Sequence, residues 1–153
     1  MKTKILTFLI LSFLLVSFNI QAQEKEYYFT KTVSGTFEEV TEIVKETLKL
    51  EGFSVITEIN MHETLKEKLS DVDLKPYRIL GVCNANFAYQ SIQLEENIGI
   101  FLPCKILIKQ IEDNTIEVVM VNPSALMRML ENDELINVAD EVSEKFKTVL
   151  SKI

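Results

Sequence analysis

The chain has 153 residues, of which 47% are hydrophobic and 25% charged, with 4 Gly, 3 Pro, no Trp and a formal charge of −7. That balance excludes a disordered, collagenous or repetitive polypeptide, and the acidic excess argues against a nucleic-acid backbone or an anionic membrane surface as partner. Two cysteines are too few for a disulfide scaffold, and the chain carries neither a glycine-rich phosphate loop nor a nucleotide fingerprint.

Lys2 and Lys4 precede an uncharged apolar run over residues 5–18, which gives way to the more polar residues 19–23 around Ala22. A positive start, an apolar middle and a small residue at the cut are the order of a secretory signal. Residues 1–22 are therefore expected to be a cleaved signal peptide, and residues 23–153 a single exported domain. The run is shorter than the roughly twenty residues a bilayer span takes, so no membrane span is expected after cleavage. Periplasm is the expected destination, with full secretion as the alternative. Cleavage removes two lysines and no acid, which takes the formal charge from −7 to −9.

Residues 27–33 are aromatic and β-branched and stop at Ser34-Gly35, which reads as a first strand. A helix follows: Thr36 caps it, Glu38 and Glu39 fill its first turn, Phe37, Val40, Ile43, Val44 and Leu48 recur at helical spacing, and Gly52 ends it. Over residues 53–61 the alternation predicts a half-buried strand with Phe53, Val55, Thr57, Ile59 and Met61 on one face. A short helix over 62–69, a loop over 70–76, a strand over 77–84 and a short helix over 86–94 come next. Residues 98–110 and 115–121 are apolar, β-branched runs around a polar turn, the pattern of an antiparallel hairpin. Asn122-Pro123 breaks the second run and Ser124 caps a short helix through Leu130. From Asp133 to the end, Leu135, Ile136, Ala139, Val142, Phe146 and Leu150 line one face of a long helix. Short connections between successive strands predict an α+β domain, an antiparallel sheet with helices packed on one side.

Cys83 and Cys104 are the residues with chemistry to offer. Pairing the middles of their two strands gives an index sum of 184 to 188, and the cysteines sum to 187. That register sets the two thiols side by side, on the face of Tyr77, Ile79, Ile100, Leu102 and Ile106. Such a pair is either a disulfide, a redox couple, two ligands for a soft metal, or simply two buried small hydrophobes. Pro103 lies inside a run that reads as an interior strand, so a bulge or kink is expected there, and Gly81 and Gly99 permit close backbone approach. Arg78 and Lys105 are the nearest cations that could activate a thiol. His62 is the only histidine, which leaves no usual zinc set and no independent triad; its position reads as that of an exposed polar residue. Met120, Met127 and Met129 could offer thioethers to copper but read as core filling.

Across nearly all of residues 23–153 the chain resembles the family known as domain of unknown function 302. The likeness is carried by Gly52-Phe53, residues 65–69, Tyr77-Arg78-Ile79-Leu80-Gly81 with Cys83-Asn84, Ala88, Ile98-Gly99, Leu102-Pro103-Cys104, Asn122-Pro123, and Asn132, Glu134 and Leu135. The Cys-Asn and Leu-Pro-Cys segments are its specific part. The resemblance implies one domain with a β-α-β-β-β-β-α core on a curved antiparallel sheet, a homodimer, and a family signature that includes Cys83 and Cys104. Ala85 stands where such proteins often have proline, and Lys105 where they often have asparagine. No family activity can be carried over.

The reading that follows is an exported, non-enzymatic module that binds a small ligand or a protein partner around Gly81, Cys83, Asn84, Pro103 and Cys104. The ligand and any cofactor are unidentified at this point. The alternative is a thiol redox, sulfur-handling or copper-binding protein in which Cys83 and Cys104 would cycle or hold the metal.

Overall fold

The first strand, β1 (Tyr28–Ser34), is joined to helix α1 (Phe37–Leu50) by a turn whose chemistry is written into four residues. The Thr36 hydroxyl accepts the Glu39 N–H while the Glu39 carboxylate accepts the Thr36 N–H, so two helix-end donors are satisfied reciprocally. In this computed structural model residues 27–153 are described, and the expected signal peptide lies outside them. Strand β2 (Ser54–Asn60), helix α2 (Met61–Lys68), strand β3 (Tyr77–Cys83) and helix α3 (Ala85–Leu94) follow, then a 3₁₀ segment Glu96–Phe101. Strands β4 (Cys104–Glu112) and β5 (Thr115–Val121), helix α4 (Pro123–Met127), a 3₁₀ turn Arg128–Leu130 and helix α5 (Asp133–Lys152) complete the chain. The fold is α+β: one five-stranded sheet of order β1-β5-β4-β3-β2, antiparallel throughout, in the sequence β-α-β-β-β-β-α with short helices added. Among the described residues no helix is long and apolar enough to cross a membrane.

Helices α1 and α5 cover one face of the sheet. Val40, Val44 and Leu48 from α1 and Phe146 and Val149 from α5 meet Leu80, Val82, Ile106, Ile108, Ile116, Val118 and Met120 in the main core. A second, smaller core joins Ile98, Met127, Leu135 and Ala139 beyond the end of the sheet. On the opposite face Ile59, Ile79, Leu107 and Val119 fall in one cross-strand row. Helix α5 is tied to β1 by Lys31, whose ammonium donates to the carbonyls of Leu150 and Ile153, groups that a helix end leaves without internal partners.

Three expectations change. The alternation over residues 53–61 is broken by a bulge between Val55 and Thr57, so Val55 pairs with Val82 on the core side while Thr57 and Ile59 turn to the open face. One extra residue inverts every later side chain of a strand. The strand expected over 98–110 begins only at Cys104, because Pro103 has no N–H for the ladder and Ile98 is drawn into the second core. Helix α4 is capped by Asn122 with Pro123 in its first turn, while the Ser124 hydroxyl donates to Ser143 instead.

The bulge also places Glu58 beside Arg78, a buried guanidinium. Arg78 donates to both Glu38 oxygens at 2.9 Å and through Nε to Asn60 at 2.7 Å, pairs with the Glu58 carboxylate 3.1 Å away, and lies over the Phe37 ring. These hydrogen bonds hold the Glu38 carboxyl below its ordinary value of 4.5, against the opposing effect of burial. A carboxyl with a depressed folded pKa adds stability that is complete above the ordinary value and is lost as pH falls through the folded one. Thermal unfolding should therefore show a melting temperature that drops below about pH 4.5. Glu38→Gln should drop less over the same interval; an identical slope would remove Glu38 from the acid response.

Candidate functional site

The site is built where β3 and β4 end side by side. Strand β3 finishes at Cys83, and Asn84 turns the chain into α3: its Oδ1 accepts the N–H groups of Asn86 and Phe87, and its Nδ2 donates to the Gly52 carbonyl at 2.9 Å. Three hydrogen bonds commit the amide to joining α3 to the entry of β2. On the other side the Leu102–Pro103 peptide is cis and β4 starts at Cys104. The Pro103 ring lies over Gly81, where a Cβ would stand 2.7 Å from Pro103 Cγ and 2.2 Å from Thr57 Oγ1. Gly81 is thus the close approach that the sequence suggested. Gly99 is not one, since open space surrounds it in the 3₁₀ segment.

The cysteines are one residue out of the expected register. The β3–β4 index sum is 186, so Cys104 stands across from Val82 and shares the core face with Ile106, whereas Cys83 alternates to the side of Ile79 and Gly81. Ile100 and Leu102, expected on that same face, lie outside the strand. Both cysteines are free and partly buried, and both line one cavity because the chain leaves the ladder at Cys83. Burial pushes the Cys104 thiol up to about 11, the nearby Cys83 adds to the rise, and the Lys105 charge opposes it. Arg78 does not serve the thiols, being committed to Glu38 and Glu58. His62 is not an exposed residue: its Nδ1 accepts the Tyr77 N–H at 3.1 Å and its ring meets Phe37 edge-on. Met120 fills the main core, Met127 the second, and Met129 is exposed.

The cavity has a volume of about 320 Å³ and lies at the seam between the two cores. Phe53, Val82, Cys104 and Val142 wall it from the main core; Ile98, Leu126, Met127, Leu135 and Ala139 wall it from the second; Phe87 and Ala88 of α3 close a side. Apart from the thiols, the polar residues that line it are Asn84, Ser91 and Lys105, the last from a strand position opposite Gly81 that turns its side chain to the open sheet face. Sequence reasoning missed most of this wall, because Phe87, Leu135 and Ala139 at helical spacing carry the signature of ordinary core. Among the described residues no three His, Cys, Asp or Glu side chains are grouped to hold a metal ion.

No curated protein matches the chain. It is similar to a solved crystal structure, that of an uncharacterized conserved protein DUF302 from Bacillus stearothermophilus, at 31% identity and a TM-score of 0.77, over 83% of this chain and 98% of that one. The family model described as Domain of unknown function DUF302 matches residues 29–153, a stretch that takes in the whole sheet except its first strand residue, the cavity and both cysteines. On that match and that structural likeness, the chain belongs to the DUF302 family.

Proposed function

We propose that the protein is an exported, non-enzymatic binding module whose small, largely apolar ligand occupies the cavity between the two cores. The observation that carries this reading is the cavity itself: about 320 Å³ of space walled by hydrocarbon and a few polar groups. Concave, mostly apolar sites with a small polar complement are the usual form of a small-molecule site. Export is supported by the order of residues 1–22, and it puts the module in the periplasm or outside the cell. Self-association as a homodimer is supported by the row of Ile59, Ile79, Leu107 and Val119 on the uncovered sheet face, and sedimentation equilibrium measures it.

The test is a neutral apolar dye, N-phenyl-1-naphthylamine, whose emission rises when it leaves water. The native protein should bind it saturably, and Ala88→Trp, which adds an indole to the cavity wall from a partly exposed position, should weaken binding by about tenfold or more. Dye binding unaffected by Ala88→Trp would overturn the assignment.

A second reading, a thiol redox, sulfur-handling or copper-binding protein, draws on the two free thiols in one cavity wall. Against it stands the raised Cys104 thiol, which is protonated at neutral pH and so a poor nucleophile. Intact mass after alkylation, before and after mild reduction, separates the readings: rapid interconversion, a persulfide or a retained metal favours the thiols, and two inert thiols favour the module.

A further inference from the structure

Helix α3 presents one face to the cavity. Asn84, Phe87, Ala88 and Ser91 line it at the i, i+3, i+4, i+7 spacing of a single helical stripe, whereas Tyr89, Gln90 and Gln93 line a groove with Glu134 and Asn137 of α5. That spacing turns the half-buried Ser91 side chain into the cavity. Its hydroxyl is set apart from the others in the helices. Thr41, Thr47, Thr64 and Thr148 each donate to the carbonyl four residues back, Ser151 donates to the one three back, and Ser124 and Ser143 donate to side chains. Ser91 alone among these makes no side-chain hydrogen bond with the described residues. The rest of the polar lining is committed or turned away: Asn84 makes three hydrogen bonds of its own, and the Lys105 side chain is on the open sheet face, opposite Gly81. The two thiols are weak donors.

From this arrangement we infer that the ligand is an uncharged, mostly hydrocarbon molecule bearing an acceptor oxygen, that of a ketone, ester or alcohol, to which the Ser91 hydroxyl donates. The inference rests on the reading of the cavity as the binding site and names the class of molecule it takes. A hydroxyl in an apolar wall costs free energy when water is displaced and its proton has no acceptor, so the ligand that fills the space best brings the acceptor with it. A charged ligand would leave water for a wall with no opposite charge facing it, at a far larger penalty. A volume of about 320 Å³ is at the small end of ligand sites and suits a molecule of one or two rings.

The experiment is displacement of N-phenyl-1-naphthylamine by 1-tetralone, by its hydrocarbon counterpart tetralin and by 1-naphthoate, on the native protein and on Ser91→Ala. Alanine is the better helix former, so the variant should fold. Ser91→Ala should weaken 1-tetralone about fivefold, the scale of one hydrogen bond, and leave tetralin unchanged, while 1-naphthoate should displace the dye from neither protein. The infrared carbonyl stretch of bound 1-tetralone should lie at lower frequency on the native protein than on Ser91→Ala, a signature that a change in the shape of the wall would not give. An unchanged 1-tetralone affinity in Ser91→Ala, an equal loss for tetralin, an unshifted stretch, or displacement by 1-naphthoate as strong as by 1-tetralone overturns the inference and leaves the cavity reading standing. Absence of binding by the dye and by both neutral probes overturns both.

Discussion

Phe146→Ala is expected to lower the free energy of unfolding by about 3–5 kcal/mol, the range for removing a fully buried aromatic side chain. Phe146 has no exposed surface and lies in the main core between α5 and the sheet, its ring 4.9 Å from that of Phe53 at an interplanar angle of 37°. Truncation removes the transfer energy of the ring and leaves a void that the sheet, tied strand to strand, fills only in part. For a domain whose whole stability is of order 5–15 kcal/mol, this is a large share. Urea unfolding followed by circular dichroism measures it as a lower midpoint at unchanged slope. Phe53 also walls the cavity, so the variant should bind N-phenyl-1-naphthylamine differently as the void merges with it. A loss under about 1 kcal/mol would mean that the ring is not packed as described.

Gly81→Ala should cost about 1–3 kcal/mol through overpacking. The added methyl would stand 2.2 Å from Thr57 Oγ1 and 2.7 Å from Pro103 Cγ, both well inside contact distance. The two obstacles differ. Thr57 can turn its hydroxyl away by rotating about χ1, whereas the Pro103 ring is fixed to the backbone at the start of β4. Adding Thr57→Ala to Gly81→Ala should therefore restore part of the loss and leave the share due to Pro103, as a double-mutant cycle in urea would read. Complete recovery would show that the proline yields and that the close approach at Gly81 is not what sets the position of β4.

Local chemistry was legible wherever neighbours in sequence carry it. Thr36 and Glu39 form the capping box that their spacing announces, and the apolar spacing of Val40, Val44 and Leu48 is the buried stripe of α1. The polar residues between the last two apolar runs make the β4–β5 hairpin, with Asn114 at positive φ in its tight turn. Gly81 reads as a close approach and is one. The errors about side-chain facing share one cause, which is that a strand's faces depend on register and bulges set by its partners. The extra residue at Ile56 turned Thr57 and Ile59 outward, and a β3–β4 index sum of 186 in place of 187 set Cys104 against Val82.

The sequence by itself determined the helix and strand segments other than residues 98–103, which it read as strand, together with the α+β class and the family. The segments and the class follow from periodicity, caps and turn residues, which act over a few positions of chain, and the family from short motifs such as Cys83-Asn84 and Leu102-Pro103-Cys104. Only the tertiary structure decided that α3, α4 and α5 lean over the β3–β4 end of the sheet without filling it, so that the main and second cores leave about 320 Å³ between them. A cavity is what several packed elements fail to fill. No single segment encodes it, because each apolar residue that lines it has the same pattern it would have in a solid core.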